Sequence, residues 1–103
     1  MERILGMIGL AKRARCVVGG DFAVTSAVKD KKAKLVIIAE NASSNTKKKI
    51  ENSCEHYGVD YVEFSDTYSL GRYTSSDVRA TMAITDSNFA EAIVAKIKEN
   101  SCF

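Results

Sequence analysis

Seven lysines and two glycines are the residues of this sequence best suited to act on something outside it. Lys29, Lys31, Lys32 and Lys34 precede the apolar run LVIIA (residues 35–39), and Lys47, Lys48 and Lys49 follow it. Ammonium groups at this density neutralise phosphates without reading bases. The glycines stand in GGDF (19–22), ahead of a predicted helix. Backbone N–H groups at such a turn face outward and can meet a phosphate or a base edge.

Other chemistries fail on residue types. The chain has neither a G-x-G-x-x-G nor a G-x-x-x-x-G-K-[ST] stretch, so both nucleotide fingerprints are missing. The single histidine, His56, has no Ser or Cys and Asp arranged around it in sequence and falls opposite the inner stripe of its helix. The three cysteines, Cys16, Cys54 and Cys102, are odd in number and lack metal-ligand spacing. They read as unpaired thiols of a reducing cytosol, with no disulfide, no zinc and no cofactor.

Charge is polarised along the chain. Residues 1–49 hold eleven Lys and Arg against four Asp and Glu, whereas residues 50–103 hold four against nine. A basic half attracts polyanions, although solvated helix faces would give the same count. No aromatic residue interleaves with the lysines, which argues against a stacking sheet platform and for recognition of RNA shape and backbone. No segment approaches a membrane span, and MERILGMIGLAKRAR lacks the cleavage site of a leader.

The elements that must position these groups alternate. Ile4, Ile8 and Ala11 mark an amphipathic first helix, and CVVGG is a short strand. Asp21 is the expected N-cap of a second helix over FAVTSAVKD. LVIIA, apolar throughout and rich in β-branched residues, is the pattern of an interior strand covered on both faces. Ser43 or Ser44 caps a third helix with Ile50, Cys54 and Tyr57 inside, a Lys47–Glu51 pair outside and Gly58 at its end. VDYVEF is a strand, Asp66 caps a short helix, RATMAI is a strand, and Phe89, Ile93 and Ile97 line a final helix. One domain over residues 1–103 follows, an α/β fold with a central mixed sheet and helices on both sides.

The stretch GLAKRARCVVGGDFAVTSAVKDKKAKLVIIAENASSNTKKKI, followed by LGR and VRATMAITD, resembles the kink-turn RNA-binding ribosomal protein superfamily, the L-seven-Ae, L-thirty-e and S-twelve-e group. Within it, the bacterial YlxQ-like members are most similar. The resemblance runs from Gly9 to Ile97 and implies a three-layer α/β/α sandwich that binds structured RNA, a kink-turn or ribosomal RNA, without catalysis. It implies RNA contacts at Gly20 and Asp21, at Ile38, Ala39 and Glu40, and at Val78 and Arg79 of the SSDVR loop. Lys32, Lys34 and Lys48 would add phosphate contacts.

The match is incomplete at the helix start. Kink-turn binders carry an Asn-Glu pair there and a Lys one turn later, and those positions are Phe22, Ala23 and Ser26 here. None of the three can make the polar contacts to sheared guanine edges, each worth roughly 1–3 kcal/mol. Phe22 reads either as a staple packed on the core or as a stacking side chain. A different RNA, a ribosomal surface, or weak kink-turn binding through backbone and lysines are the readings this leaves. An adaptor that binds protein partners on the same fold is the alternative to RNA binding. No small-molecule substrate is expected.

Overall fold

A computed structural model describes residues 2–74 and 79–101. Nine elements follow in order: α1 (Glu2–Arg13), β1 (Val17–Gly19), α2 (Asp21–Lys29), β2 (Leu35–Ile38), α3 (Ser44–Tyr57), β3 (Tyr61–Glu63), α4 (Thr67–Tyr73), β4 (Thr81–Ile84) and α5 (Ser87–Ser101). The strands form one mixed sheet in the order β1-β4-β2-β3. β4 is antiparallel to both β1 and β2, and β3 is parallel to β2.

LVIIA occupies the interior position expected of it. All four residues of β2 are fully buried, and their alternation explains how. Leu35 and Ile37 face one core, with Ile4, Ile8, Leu70, Met82, Ile84 and Ile93. Val36 and Ile38 face the other, with Val24, Val28, Ile50, Cys54 and Ala83. Successive strand side chains point to opposite faces, so a strand covered by helices on both sides must be apolar at every position. α1, α4 and α5 form one outer layer and α2 and α3 the other, giving a three-layer α/β/α sandwich.

Capping departs from expectation at α2. The N-cap is Gly20, at φ 95° and ψ 148°, and its carbonyl accepts the Val24 N–H over 2.9 Å. Asp21 therefore opens the helix and does not cap it. Glycine takes the positive φ that a side chain at 20 would resist. At α3 the expectation holds: Ser43 Oγ accepts the Thr46 N–H, and Gly58 closes the helix in the left-handed region at φ 71°. Lys47 pairs with Glu63 of β3, Nζ to Oε1 3.0 Å, in place of the expected Glu51. The helix neighbour loses to a strand residue brought alongside by the fold. Asp66 caps α4, accepting from the Ser69 N–H, and the helix continues past Leu70 to Tyr73.

Candidate functional site

Strand direction decides which residues share an end of the molecule. β1 and β2 both pair antiparallel with β4, and β3 runs parallel to β2, so β1, β2 and β3 all point the same way. Each opens into a helix at its C-terminal end: α2 after Gly20, α3 after Ser43, α4 after Asp66. In α/β sheets this end is where ligands bind, because helix N-termini with unsatisfied N–H groups gather there.

The rim at that end is stitched by backbone bonds. Gly20 N–H donates to Thr81 O (3.2 Å), Ala39 N–H to Ala80 O (2.8 Å), Glu40 N–H to Ser65 O (2.8 Å) and Arg79 N–H to Thr67 O (2.8 Å). Asn41 closes a further loop, accepting the Thr67 N–H on Oδ1 at 2.9 Å and donating Nδ2–H to Thr67 Oγ1 at 3.3 Å. The N–H of Gly20 is thus used internally. The outward N–H groups of the GGDF turn are those of the first turn of α2, where no side chain caps the helix.

Two residues explain why Asp21 and the glycines are needed. Thr81, fully buried, donates its hydroxyl to Asp21 Oδ1 over 2.9 Å. The Arg79 side chain lies flat against the glycine pair: a Cβ at Gly19 would stand 2.6 Å from Arg79 Nε, and one at Gly20 3.5 Å from Nη1. The guanidinium therefore lies over the end of β1, where Lys12, Val17, Thr74 and Met82 line the same hollow, and reaches the Gly20 turn with Nη1. No sequence motif signals the Thr81 hydroxyl, whose partner lies sixty positions away. Asn41 is invisible in sequence for the same reason.

Of the candidate residues, Gly20, Asp21, Phe22, Ile38, Ala39, Glu40 and Arg79 come together at this rim, with Lys48 exposed on the adjoining turns of α3. Ser26 follows Phe22 on the exposed face of α2. Val78 lies outside the described residues. Lys32 and Lys34 lie at the other end. Lys34 N–H donates to Ile84 O, the last residue of β4, and Lys32 N–H to Ala27 O at the close of α2. There Lys31 and Lys34 border a hollow with Tyr57, Gly58 and Asp60. The cations flanking LVIIA thus divide between two poles separated by the length of the sheet. Lys29, in the last turn of α2, offsets that helix's dipole, which accounts for part of that second group.

Phe22 is 86% exposed, so it is not a staple on the core. Tyr68, which no sequence motif singles out, is 65% exposed at the second position of α4.

Among the described residues no cluster of His, Cys, Asp and Glu could hold a metal. Cys54 is fully buried, and burial with the nearby Glu51 and Glu55 carboxylates pushes its thiol up to about 11. Such a thiol is protonated and unreactive at neutral pH. Among the described residues, one cleft of about 340 Å³ runs beside β3, between Leu35, Val59, Tyr61, Val62 and Val94. Among the described residues no helix is long and apolar enough to cross a membrane.

Comparison with known proteins agrees with this architecture. The family model for the Ribosomal protein L7Ae/L30e/S12e/Gadd45 family matches residues 2–94. RNA-binding protein YlxQ of Bacillus subtilis (strain 168) is 39% identical over 89 residues, covering 86% of this chain and 89% of the relative. RNA-binding protein YlxQ of Enterococcus faecium is 30% identical over 90 residues, covering 87% and 86%. Among solved structures, a protein with unknown function from Bacillus halodurans C superposes with TM-score 0.89 at 30% identity, over 92% of this chain and 96% of that one. The Giardia lamblia 15.5kD RNA binding protein superposes with TM-score 0.76 over 92% and 84%, and at 24% identity that likeness concerns the fold alone. With the layer order, the strand directions and a match over almost its whole length, the chain belongs to the Ribosomal protein L7Ae/L30e/S12e/Gadd45 family.

Proposed function

We propose that this protein is a non-catalytic binder of structured RNA, one domain acting in the cytoplasm, and that the rim at the C-terminal ends of β1 and β2 is its binding surface. The observation that carries the reading is the Arg79 guanidinium held over Gly19 and Gly20, beside the uncapped first turn of α2. A planar cation and open backbone N–H groups on a rigid sheet end suit an RNA chain, which they can meet at its phosphates or at its bases. Lys48 and Lys49, exposed on α3, extend that cation surface, while Lys47 is engaged by Glu63. The names of the curated relatives point the same way.

Recognition through a kink-turn, and association with the ribosome, extend this reading. Phe22, Ala23 and Ser26 weigh against strong kink-turn selectivity, since none offers the amide, carboxylate or ammonium that pairs with guanine edges and phosphate. The test is a gel-shift titration of the purified chain against a kink-turn RNA, a simple hairpin and a duplex over a salt series. Binding at low salt that weakens steeply with added salt is the expected result. No binding at any salt would leave a protein-partner role as the better account.

A further inference from the structure

We infer that the rim meets the faces and edges of unpaired nucleotides, with Phe22 and Tyr68 as stacking platforms on its two sides. The inference rests on the RNA-binding reading and specifies the class of RNA. Three features carry it.

The first is the pair of exposed rings. A phenylalanine 86% exposed contributes almost nothing to the core, and Tyr68 at 65% contributes little. Each is the second residue of a helix that starts at this end. Helical Cα–Cβ bonds tilt toward the N-terminus, so both side chains lean toward the rim and not away from it.

The second is their common neighbour. Arg79 touches the Gly19–Gly20 turn ahead of α2 with its side chain and bonds Thr67, the first residue of α4, with its N–H. It therefore stands between the two aromatic-bearing helices. A strand of RNA crossing the rim would pass one ring, a guanidinium and the other ring in turn. Aromatic faces and guanidinium planes are the groups on which unstacked bases rest.

The third is the sign of the remaining charge. Asp21, with one carboxylate oxygen already bonded to Thr81, and the exposed Glu40 sit at the same rim. Carboxylates repel phosphates but accept from base amino groups. Bases turned toward the rim satisfy them, and the phosphates then fall outward, toward Lys48 and Lys49. A closed duplex, which hides its base faces and presents phosphates first, fits this arrangement poorly.

The experiment compares a hairpin RNA with a large unpaired loop and a fully paired RNA duplex of equal length, against wild type, Phe22→Ala, Tyr68→Ala and Phe22→Trp. Both rings are exposed, so the variants retain the fold, which circular dichroism verifies. Each alanine variant is expected to bind the hairpin about tenfold more weakly and the duplex unchanged. The chain contains no tryptophan, so Phe22→Trp supplies a single reporter at the rim. It is expected to keep its affinity and to be quenched by the hairpin and not by the duplex. Alanine variants that weaken both RNAs equally, or neither, overturn the stacking role and leave RNA binding intact. A wild type that binds neither RNA overturns both readings.

Discussion

Thr81 and Asp21, sixty positions apart, are joined by a 2.9 Å hydrogen bond from the threonine hydroxyl to Oδ1, which fixes the first turn of α2 against the end of β4. Thr81→Val keeps the shape and removes the donor. A hydrogen bond to a charged acceptor contributes about 1.5–3 kcal/mol, and the half-buried carboxylate can recover part of that from water. The expected loss is about 1–2 kcal/mol in urea unfolding, with RNA affinity falling further than stability because the α2 turn loosens. An unchanged unfolding midpoint would mean that the bond does not hold the turn.

The division of the lysines between two poles makes a direct comparison possible. Lys48→Ala with Lys49→Ala is expected to weaken every structured RNA alike. Lys32→Ala with Lys34→Ala, at the far end, is expected to leave affinity nearly unchanged. With Z of roughly 3–5 phosphates neutralised, log affinity falls against log salt with a slope near −0.9Z, and the first pair of substitutions flattens it by up to about 2. Loss of affinity from the far pair alone would relocate the surface.

Selectivity is addressed by restoring polar side chains on α2. Phe22 and Ser26 are exposed, so Phe22→Asn and Ser26→Lys meet no steric obstacle; Ala23, half-buried, accepts glutamate at its solvent side. The combined variant Phe22→Asn, Ala23→Glu, Ser26→Lys is expected to favour a kink-turn over a hairpin with an ordinary unpaired loop by roughly tenfold or more relative to wild type, from contacts of about 1–3 kcal/mol each. Competition binding with the two RNAs measures it. A wild type that already discriminates strongly would refute the account of these three positions.

Cys54 gives a pH dependence of known sign. Its folded thiol titrates at about 11 against an ordinary 9.0, mainly because burial penalises the thiolate. The neutral form is favoured in the fold, so the stabilisation is complete below 9.0 and is lost as pH rises toward 11. The stability advantage of wild type over Cys54→Ala is therefore expected to shrink through that window in urea melts. Alkylation followed by peptide mapping is expected to label half-exposed Cys16 well before Cys54 at about pH 8. Equal labelling of the two would show that α3 opens readily.

How much of this is legible in the sequence depends on the distance over which each feature is determined. LVIIA is legible because burial on both faces leaves no polar position, and the Ser43 and Asp66 caps because the N–H groups they accept from lie three residues away. The start of α2 is displaced by one residue because Asp is a better cap by type, whereas the chain needs the positive φ of Gly20 there. The Lys47 partner and the Thr81–Asp21 bond depend on strand register, which no local pattern encodes. For the candidate site, the residues around GGDF and IAE are legible through resemblance. The separation of Lys32 and Lys34 from the rim has a plain cause: residues adjacent in sequence to a strand belong to opposite ends of it when they precede and follow it.

The strand order has a bearing on how the molecule is made. β4, among the last elements in the chain, lies between β1 and β2, which therefore have no contact as strands until it arrives. It also delivers Thr81, and just before it Arg79, to the rim. During synthesis the first half of the chain emerges with its lysines and the GGDF turn already displayed, but with an open sheet and no guanidinium in place. A partly made chain is thus basic without having an assembled surface, and the rim comes into being only when nearly the whole polypeptide is available to fold.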